Sequence, residues 1–467
     1  MSLSISYKVK QLFSAHDLTE GAPWKCILTF ATPLLIGNLA QQLYNTADSI
    51  IVGHYVGDNA LAAVGSAGPI LNLLLALFVG VSTGVSILVA QRYGAKDREG
   101  LAIVIGNCIT LSCIVSVITM CLGALLIRPL LTLLDTPASI FDWCAGYLRI
   151  FMIGVAGFAF YNILSGILRG LGDSFSALGF LMVAAGLNVL LDLWFVAKLG
   201  MGVAGVALAT VLSQSFSAIL CMAKLLSMPN VFRMEWRHLK PFASTIKKII
   251  QIGVPSGVTQ AIFSLAMLIV QSLTNSFGEM VIACNVIVMR IDGFAMMPNF
   301  SFGSSMTTFT GQNVGANRLD RLHKGTKQGT LMALGTSIVL TATILLFGRT
   351  IAGFFTETAA LADLSMHMMR ILATGYIAMS ITQCLCGVMR GAGDTLTPMW
   401  ISLLSSVVLR VPLAYTIAYF TRSAQWPTGR PESTFISLVI AWSCGAVFSI
   451  LAYRFGSWHK KLNAHQE

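Results

Sequence analysis

Apolar residues run in long, nearly uninterrupted stretches along most of the chain, with short polar connections between them. Twelve of these stretches have about eighteen residues or more, enough for a helix to cross a hydrocarbon core of about 30 Å. They cover residues 27–53, 60–90, 100–127, 140–167, 175–197, 201–226, 247–274, 279–311, 326–348, 364–388, 396–420 and 434–455. The pattern predicts an all-α polytopic membrane protein with twelve transmembrane helices.

The composition supports this prediction. Hydrophobic residues make up 55% of the 467 residues and charged residues only 10%, less than half of the roughly 25% found in soluble domains. The ten cysteines are scattered through the apolar stretches without a C-x-x-C pair, which favours buried thiols over disulfides or metal ligands. No catalytic motif or His/Asp metal cluster lies within the stretches, so we expect neither an enzyme nor a cofactor.

Basic residues predict the orientation in the membrane. They concentrate in the N-terminal segment, in the connections 91–100, 227–248 and 315–327, and in the tail. All of these lie on one side if twelve helices alternate, and the positive-inside rule then places both termini in the cytoplasm. This placement accounts for the net charge of +11 without a nucleic-acid partner. Residues 1–26 lack the apolar core of a signal peptide, so the first helix is expected to be retained.

Two motifs occur twice at one spacing. QRYGA at 91–95 returns as QNVGA at 312–316, and LRGLGDS at 168–174 returns as MRGAGDT at 389–395. Both pairs have the same separation along the chain, which we call the repeat offset. It also relates Arg149 to Arg370, Gly154 to Gly375, Gly166 to Gly387 and Gly57 to Gly278. Such agreement indicates a duplicated unit. Each copy has six helices, so we expect two lobes related by a pseudo-twofold axis along the membrane normal.

The duplication predicts the domain boundaries. An N-lobe over 27–226 and a C-lobe over 247–455 are joined by a cytoplasmic linker, 227–246, in which Trp236 is expected at the membrane interface. A cytoplasmic N-terminal segment, 1–26, and a cytoplasmic tail, 456–467, complete the chain.

Three acidic residues fall well inside predicted helices: Asp48, Asp192 and Asp292. An ionisable group at that depth costs from about 3 to more than 10 kcal/mol and usually marks the path of an ion or substrate. The alternative is that these carboxyls are protonated or hydrogen-bonded structural groups.

Polar side chains accompany two of these acids. Asn188 lies four residues before Asp192, so the two share one face of the fifth helix. Gln41, Tyr44 and Asp48 form a single polar stripe on the first helix. An amide oxygen beside a carboxylate can share a dehydrated cation, or hydrogen-bond to a protonated carboxyl.

The second half carries different chemistry. The repeat offset places Leu413 where the first half has Asp192. Its own charged groups are Arg290, Asp292 and Arg410, for which we expect either substrate contact, gating or a structural role. Arg290 and Asp292 are two residues apart and should find partners on neighbouring helices. Because Pro412 follows Arg410, the eleventh helix is expected to be kinked.

Several of these features together resemble the multidrug and toxic compound extrusion (MATE) family of the MOP flippase superfamily. They are QQLYNTADSIIVG in the first helix, LAAVG, and the duplicated Q-x-x-GA and RG-x-GD-[ST] motifs. The resemblance implies the MATE fold, with a central cavity and export coupled to inward flow of Na⁺ or H⁺. The stretch MRIDGFAMMP is most similar to the DinF-like branch, whereas the acidic residues of the NorM-like branch in helices seven and ten are absent.

The resemblance also implies roles for particular residues. Asp48, Asn188, Asp192 and Thr210 would surround one cation or proton, and Asn162 would line the cavity. For Thr210 and Asn162, ordinary hydrogen bonding between helices is an equal alternative.

The expected function is therefore efflux of amphipathic or cationic organic compounds by antiport against H⁺ or Na⁺. We expect a monomer in a bacterial or archaeal plasma (inner) membrane, whose partners are small organic substrates and the lipid bilayer. The alternative is a flippase for lipid-linked oligosaccharides or another lipid. Such a protein should hold pyrophosphate with a cavity rich in Arg and Lys, whereas the helix interiors here supply mainly Arg290 and Arg410.

Overall fold

The structure is a computed structural model that describes residues 14–133, 136–424, 426–456 and 458–463. Helices, turns and irregular connections account for all of these residues, and none of them lies in a strand. The predicted N-terminal segment is thus described from residue 14 onward, and the predicted tail is described at residue 456 and over 458–463. The basic residues Lys8 and Lys10 lie outside the described residues.

Among the described residues, the first half of the chain contains seven α-helices: α1 (Pro23–Tyr55), α2 (Asp58–Gly94), α3 (Arg98–Leu133), α4 (Ala138–Ile153), α5 (Val155–Gly170), α6 (Ser174–Asp192) and α7 (Gly202–Leu226). The described part of the second half contains nine α-helices: α8 (Ala243–Asn275), α9 (Glu279–Gly315), α10 (Leu319–Gly353), α11 (Ala359–Ala373), α12 (Gly375–Gly391), α13 (Leu396–Leu403), α14 (Arg410–Phe420), α15 (Glu432–Phe455) and α16 (Trp458–Asn463).

These helices cover all twelve predicted segments. Among the described residues, nine spans and two bent helix pairs have the length and hydropathy of membrane crossings. The 37-residue helix α2 covers the remaining segment, 60–90. The prediction of an all-α polytopic membrane protein is confirmed.

Two predicted spans are bent at equivalent places in the repeat. Helices α4 and α5 meet at 54° around Gly154, and α11 and α12 meet at 43° around Thr374 and Gly375. Gly154 and Gly375 are one of the pairs related by the repeat offset. A Cβ on Gly154 would meet the Val211 side chain, and one on Gly375 would meet Trp442. The bends therefore bring backbone against a neighbouring helix where only glycine leaves room.

Two further spans contain a π-helical turn. One, Leu193–Lys198, directly follows Asp192, and the other, Leu404–Leu409, directly precedes Arg410. Pro412 has no N–H to donate to the Val408 carbonyl four residues earlier, which explains why the α-helical ladder is interrupted at the second turn. The distortion expected from Pro412 is thus present, as a widened turn.

Contacts group the described residues into two compact units. The first contains the residues up to Asp17 and Thr32–Gly257, and the second contains Leu18–Ala31 and Val258–Glu467. Helices α1 and α8 are each divided between the units, whereas lobe boundaries drawn from the sequence follow the order of the helices. The boundaries 27–226 and 247–455 stay predictions.

Small residues bring helices close together at matching positions in both units. In the first unit, a Cβ on Gly166 of α5 would meet Ser82 of α2. In the second, a Cβ on Gly387 of α12 would meet the Gly303 carbonyl of α9. Both pairs obey the repeat offset. Close approach of this kind is a common means of packing helices in membranes, where little hydrophobic force acts between them.

The repeated RG-x-GD-[ST] motif forms a helix-starting turn in each unit. The Asp173 carboxylate accepts hydrogen bonds from the backbone N–H of Ser176 at 2.9 Å and from its hydroxyl at 2.7 Å. Asp394 accepts from the Thr397 hydroxyl at 2.7 Å. The motif is thus a helix cap, in keeping with its interpretation as a turn between helices.

The chain ahead of α1 is held firmly within the second unit. Arg321 donates to the carbonyls of Gly21 at 2.5 Å and of Leu18 and Glu20 at 3.1 Å each. Gln312, from the repeated QNVGA motif, accepts from the Leu18 N–H at 2.8 Å. These hydrogen bonds fix the position of the residues that lead into the first membrane helix, α1.

The chain ahead of α8 is held in the same way within the first unit. Asn107 of α3 accepts from the Phe242 N–H at 2.7 Å and donates to the carbonyls of His238 and Lys240 at 3.3 Å each. This segment contains one 3-10 turn, Trp236–Leu239, in which the Trp236 side chain is exposed. The repeat offset relates Leu18 to Leu239, so both repeats fasten the residues that lead into their first helix.

Candidate functional site

The two acids of the first unit lie together. Asp48 is on the half-buried side of α1, and Asp192 is the last residue of α6, fully buried. Their carboxyl groups are within hydrogen-bonding reach of each other. The structure therefore brings together the two carboxyls that the sequence singled out on separate helices.

Asn188 bridges these carboxyls. With its amide nitrogen turned toward them, Nδ2 donates to Asp48 Oδ1 at 2.7 Å and to Asp192 Oδ2 at 3.1 Å. Its oxygen then accepts from the Thr210 backbone N–H at 3.2 Å. Asn188 is fully buried, so the helical spacing between Asn188 and Asp192 correctly predicted a shared face.

Two hydroxyl groups complete the cluster. Thr210 Oγ1 of α7 is 3.4 Å from the Asn188 amide and 3.5 Å from the Tyr44 hydroxyl. Tyr44 is also within hydrogen-bonding reach of Asp48. Side chains from α1, α6 and α7 thus converge on one point, as the resemblance to MATE proteins implies.

The donor set of this cluster suits a small cation. Asp192 Oδ1 is buried and has no hydrogen-bond partner, although buried polar atoms nearly always have one. If the Asn188 amide adopts the opposite orientation, its oxygen faces both carboxyls, and oxygen atoms of three side chains then surround one position. Carboxylate, amide and hydroxyl oxygens are ligands that hard cations prefer. The residues present fit either a bound Na⁺ or a proton held between the carboxyls.

Tyr147 of α4 lies near this cluster and was not indicated by the sequence. It is buried and interacts electrostatically with both Asp48 and Asp192. Its span has no other polar residue at helical spacing that would have marked it. Only the fold reveals that Tyr147, in an otherwise apolar part of its span, comes near the two acids.

Two predicted residues lie apart from the cluster. Gln41 has an exposed side chain. Asn162 is half-buried, and its Nδ2 donates to the Phe158 carbonyl of its own helix at 2.9 Å. A role for Gln41 or Asn162 in a substrate cavity stays a prediction.

The second unit contains a different charged cluster. Asp292 of α9 and Arg410, the first residue of α14, interact electrostatically. Tyr376, in the first turn of α12, is within hydrogen-bonding reach of the Asp292 carboxyl. Asp292 therefore has its partners on neighbouring helices, as expected, while Arg290 is exposed on the same helix. Tyr376 was not indicated by the sequence, because it lies far from Asp292 along the chain.

Known proteins are similar to this chain over nearly its whole length. The profile of the MatE family matches residues 33–194 and 255–416, one match in each repeat. The probable multidrug resistance protein YoeA of Bacillus subtilis is 27% identical over 427 residues, which are 89% of this chain and 92% of that protein. The multidrug resistance protein PmpM of Pseudomonas aeruginosa is 24% identical, over 96% of each chain.

Solved structures have the same fold. A MATE crystal structure in the bent conformation is 26% identical and superposes with a TM-score of 0.88, over 96% of this chain and 98% of the other. An outward-facing multidrug resistance MATE transporter of the MOP superfamily, also 26% identical, superposes with a TM-score of 0.87 over 97% and 98%. Both repeats match the family profile, and the two-lobe fold matches its structures. The chain therefore belongs to the MATE family of multi-pass membrane transporters and is not an enzyme.

Proposed function

We propose that this transporter exports small organic compounds by antiport against H⁺ or Na⁺, and that Asp48, Asn188, Asp192 and Thr210 bind the coupling cation. The observation that carries the proposal is the Asn188 amide between two carboxyls in a buried site. Two carboxylates in contact repel each other strongly where water is scarce. A cation or proton relieves that repulsion, so the site attracts positive charge.

Coupling requires the cation to bind two conformations unequally. A ligand with equal affinity for both would leave their populations unchanged. The π-helical turn that follows Asp192 supports such a difference, because π-turns are frequent at functional sites in helices. In the proposed cycle, cation binding from outside favours the conformation with low substrate affinity, and substrate is released there.

The proposal includes the orientation of the protein. We infer that it is a monomer in the plasma membrane of a bacterium or archaeon, with both termini in the cytoplasm. The distribution of basic connections supports this orientation. The names of the relatives, multidrug resistance proteins, support small organic compounds as the substrates.

Transport by purified protein in proteoliposomes tests the proposal. Ethidium, an amphipathic organic cation, serves as the substrate, and a pH gradient and a Na⁺ gradient are imposed separately. The wild type should accumulate ethidium with at least one of the two gradients. Asp192→Asn should lower the gradient-driven rate at least tenfold, because the neutral amide cannot exchange the coupling charge.

The matched control is Asp142→Asn. Asp142 is on the surface, and its carboxylate lies 3.6 Å from exposed Arg128, so this variant should transport ethidium like the wild type. Gradient-driven transport at the wild-type rate in Asp192→Asn would contradict the assigned cation site.

A further inference from the structure

Asp292 and Arg410 of the second unit have opposite charges that do not meet. They interact electrostatically, yet no Arg410 nitrogen lies within 4.0 Å of an Asp292 oxygen in the described part of the chain. Opposite charges buried near each other ordinarily close into an ion pair, because each then replaces lost water. Here the two charged groups stay more than 4.0 Å apart.

Each charge keeps a buried atom without a partner. Asp292 Oδ1 and Arg410 Nε are inaccessible to solvent and make no hydrogen bond. Unpaired atoms on buried charged groups are strongly unfavourable. The Tyr376 hydroxyl reaches the Asp292 carboxyl but leaves that oxygen unpaired. The cluster is therefore incomplete on both its acidic and its basic side.

Irregular backbone lies directly beside two residues of the cluster. The π-helical turn Leu404–Leu409 ends directly before Arg410, and the 43° bend between α11 and α12 lies directly before Tyr376. The Tyr376 ring packs on Trp442 with 6.0 Å between ring centroids, which fixes the position of its hydroxyl. Distorted helices at membrane depth are typical of sites that bind a ligand.

We propose that Asp292, Tyr376 and Arg410 form a substrate site for compact zwitterions, molecules with an ammonium and a carboxylate a few bonds apart. The ammonium binds Asp292 Oδ1, and the carboxylate accepts hydrogen bonds from the Arg410 guanidinium. This inference rests on the proposed export of small organic compounds and adds a second substrate class to organic cations such as ethidium.

The charge arrangement selects against simple ions. A monovalent cation attracted by Asp292 is repelled by Arg410 at a similar distance, and a monovalent anion meets the reverse situation. The two contributions largely cancel for either ion. A zwitterion has favourable electrostatic interactions at both ends, since each of its charges lies nearest to the opposite charge of the protein.

Equilibrium binding of radiolabelled L-tryptophan to the purified transporter in nanodiscs tests this inference. Tryptophan methyl ester keeps only the cation, and N-acetyltryptophan keeps only the anion, so both are matched competitors. Unlabelled tryptophan should displace the radiolabel at a concentration about tenfold lower than either derivative requires. This is the ratio expected from one charge-assisted hydrogen bond.

Variants identify the residues that make this selection. Arg410→Gln should weaken tryptophan binding at least about tenfold and should strengthen binding of the methyl ester, because it removes the charge that repels the cation. Asp292→Asn should remove the advantage of tryptophan over N-acetyltryptophan. Tyr376→Phe retains the ring packing and should weaken tryptophan binding only severalfold.

Arg349→Gln and Asp363→Asn are the matched controls. These residues form an exposed ion pair at 2.7 Å in the same unit, and both variants should bind tryptophan like the wild type. If a cluster variant does not fold, the ranking of the three probes on the wild type still decides. Equal competition by the three probes, or no saturable tryptophan binding, would overturn the inference.

The outcome is separable from that of the proposed function. Binding is measured without an ion gradient, so a failure of cation coupling leaves the result unaffected. Gradient-driven ethidium export by a protein that shows no preference for tryptophan would overturn the zwitterion site and retain the proposed transport.

Discussion

Asn188 accepts from a backbone N–H on one side and faces two carboxyls on the other, which makes it the central residue of the first unit's cluster. Its position relative to Asp192 follows from helical spacing alone. Its position relative to Asp48 does not, because α1 and α6 meet only in the folded protein. Local periodicity therefore predicts pairs on one helix, and the tertiary structure assembles those pairs into a site.

The same limit explains the residues that the sequence did not indicate. Tyr147 has no polar residue at helical spacing on its span, and Tyr376 shares its face of α12 only with the uncharged Ser380 and Gln383. Both tyrosines interact with acids on other helices, so no spacing rule within one span could link them to those acids.

Thr210→Val tests whether its hydroxyl is a cation ligand. Valine has nearly the same shape but no oxygen, so Na⁺ would lose one ligand while a proton on a carboxyl would not. We expect Na⁺-driven ethidium transport to show an apparent Na⁺ affinity about tenfold weaker, as for a loss of roughly 1.4 kcal/mol. The rate of proton-driven ethidium transport should stay within about twofold of the wild-type rate.

Thr46→Val is the control for this substitution. The Thr46 hydroxyl donates to the Gln42 carbonyl of its own helix at 2.9 Å, so its loss should affect neither gradient. An equal fall in Na⁺-driven and proton-driven transport in Thr210→Val would show that Thr210 acts through helix packing.

At the level of elements, helices occupy all twelve segments that the apolar pattern predicted, with approximately the predicted ends. It did not predict the π-helical turn after Asp192, because that turn contains no proline. Nor did it predict the bends around Gly154 and Gly375, although both glycines stood out in the repeat. A bend depends on what packs against the helix, here the Val211 and Trp442 side chains, and hydropathy carries no such information.

The segments that lead into α1 and α8 are elements that the sequence described only as polar. Arg321 alone makes three hydrogen bonds to backbone carbonyls ahead of α1. Arg321→Met should therefore raise the rate of amide hydrogen exchange in residues 14–22 by about 10- to 100-fold, from a loss of roughly 1.5–3 kcal/mol. Hydrogen exchange followed by mass spectrometry measures this directly.

Arg318→Met provides the comparison for the Arg321 variant. Arg318 is exposed and lies 3.6 Å from exposed Asp320, and such surface pairs contribute little. Its exchange pattern over residues 14–22 should match the wild type. Unchanged exchange in Arg321→Met would mean that these bonds do not hold the segment in solution.

Over the whole molecule, duplication preserved the scaffold and not the chemistry. Matching glycine contacts, capped turns and bent spans occur in both units, since each is needed for packing. The charged clusters differ: the first unit gathers two acids, whereas the second sets an acid against an arginine. The repeat offset could predict the scaffold of one half from the other, but it assigns Leu413 to the place of Asp192.

The orientation of the whole molecule can be tested with single cysteines in a variant that lacks the ten native ones. Asn230→Cys lies in the linker and Glu357→Cys in the connection between α10 and α11, and both positions are exposed. A membrane-impermeant maleimide should label Glu357→Cys in intact cells, and should label Asn230→Cys only after permeabilisation. The reason is that the basic connections resist translocation and remain inside. The reverse labelling pattern would place both termini outside, and the cation site would then have to load from the opposite side of the membrane.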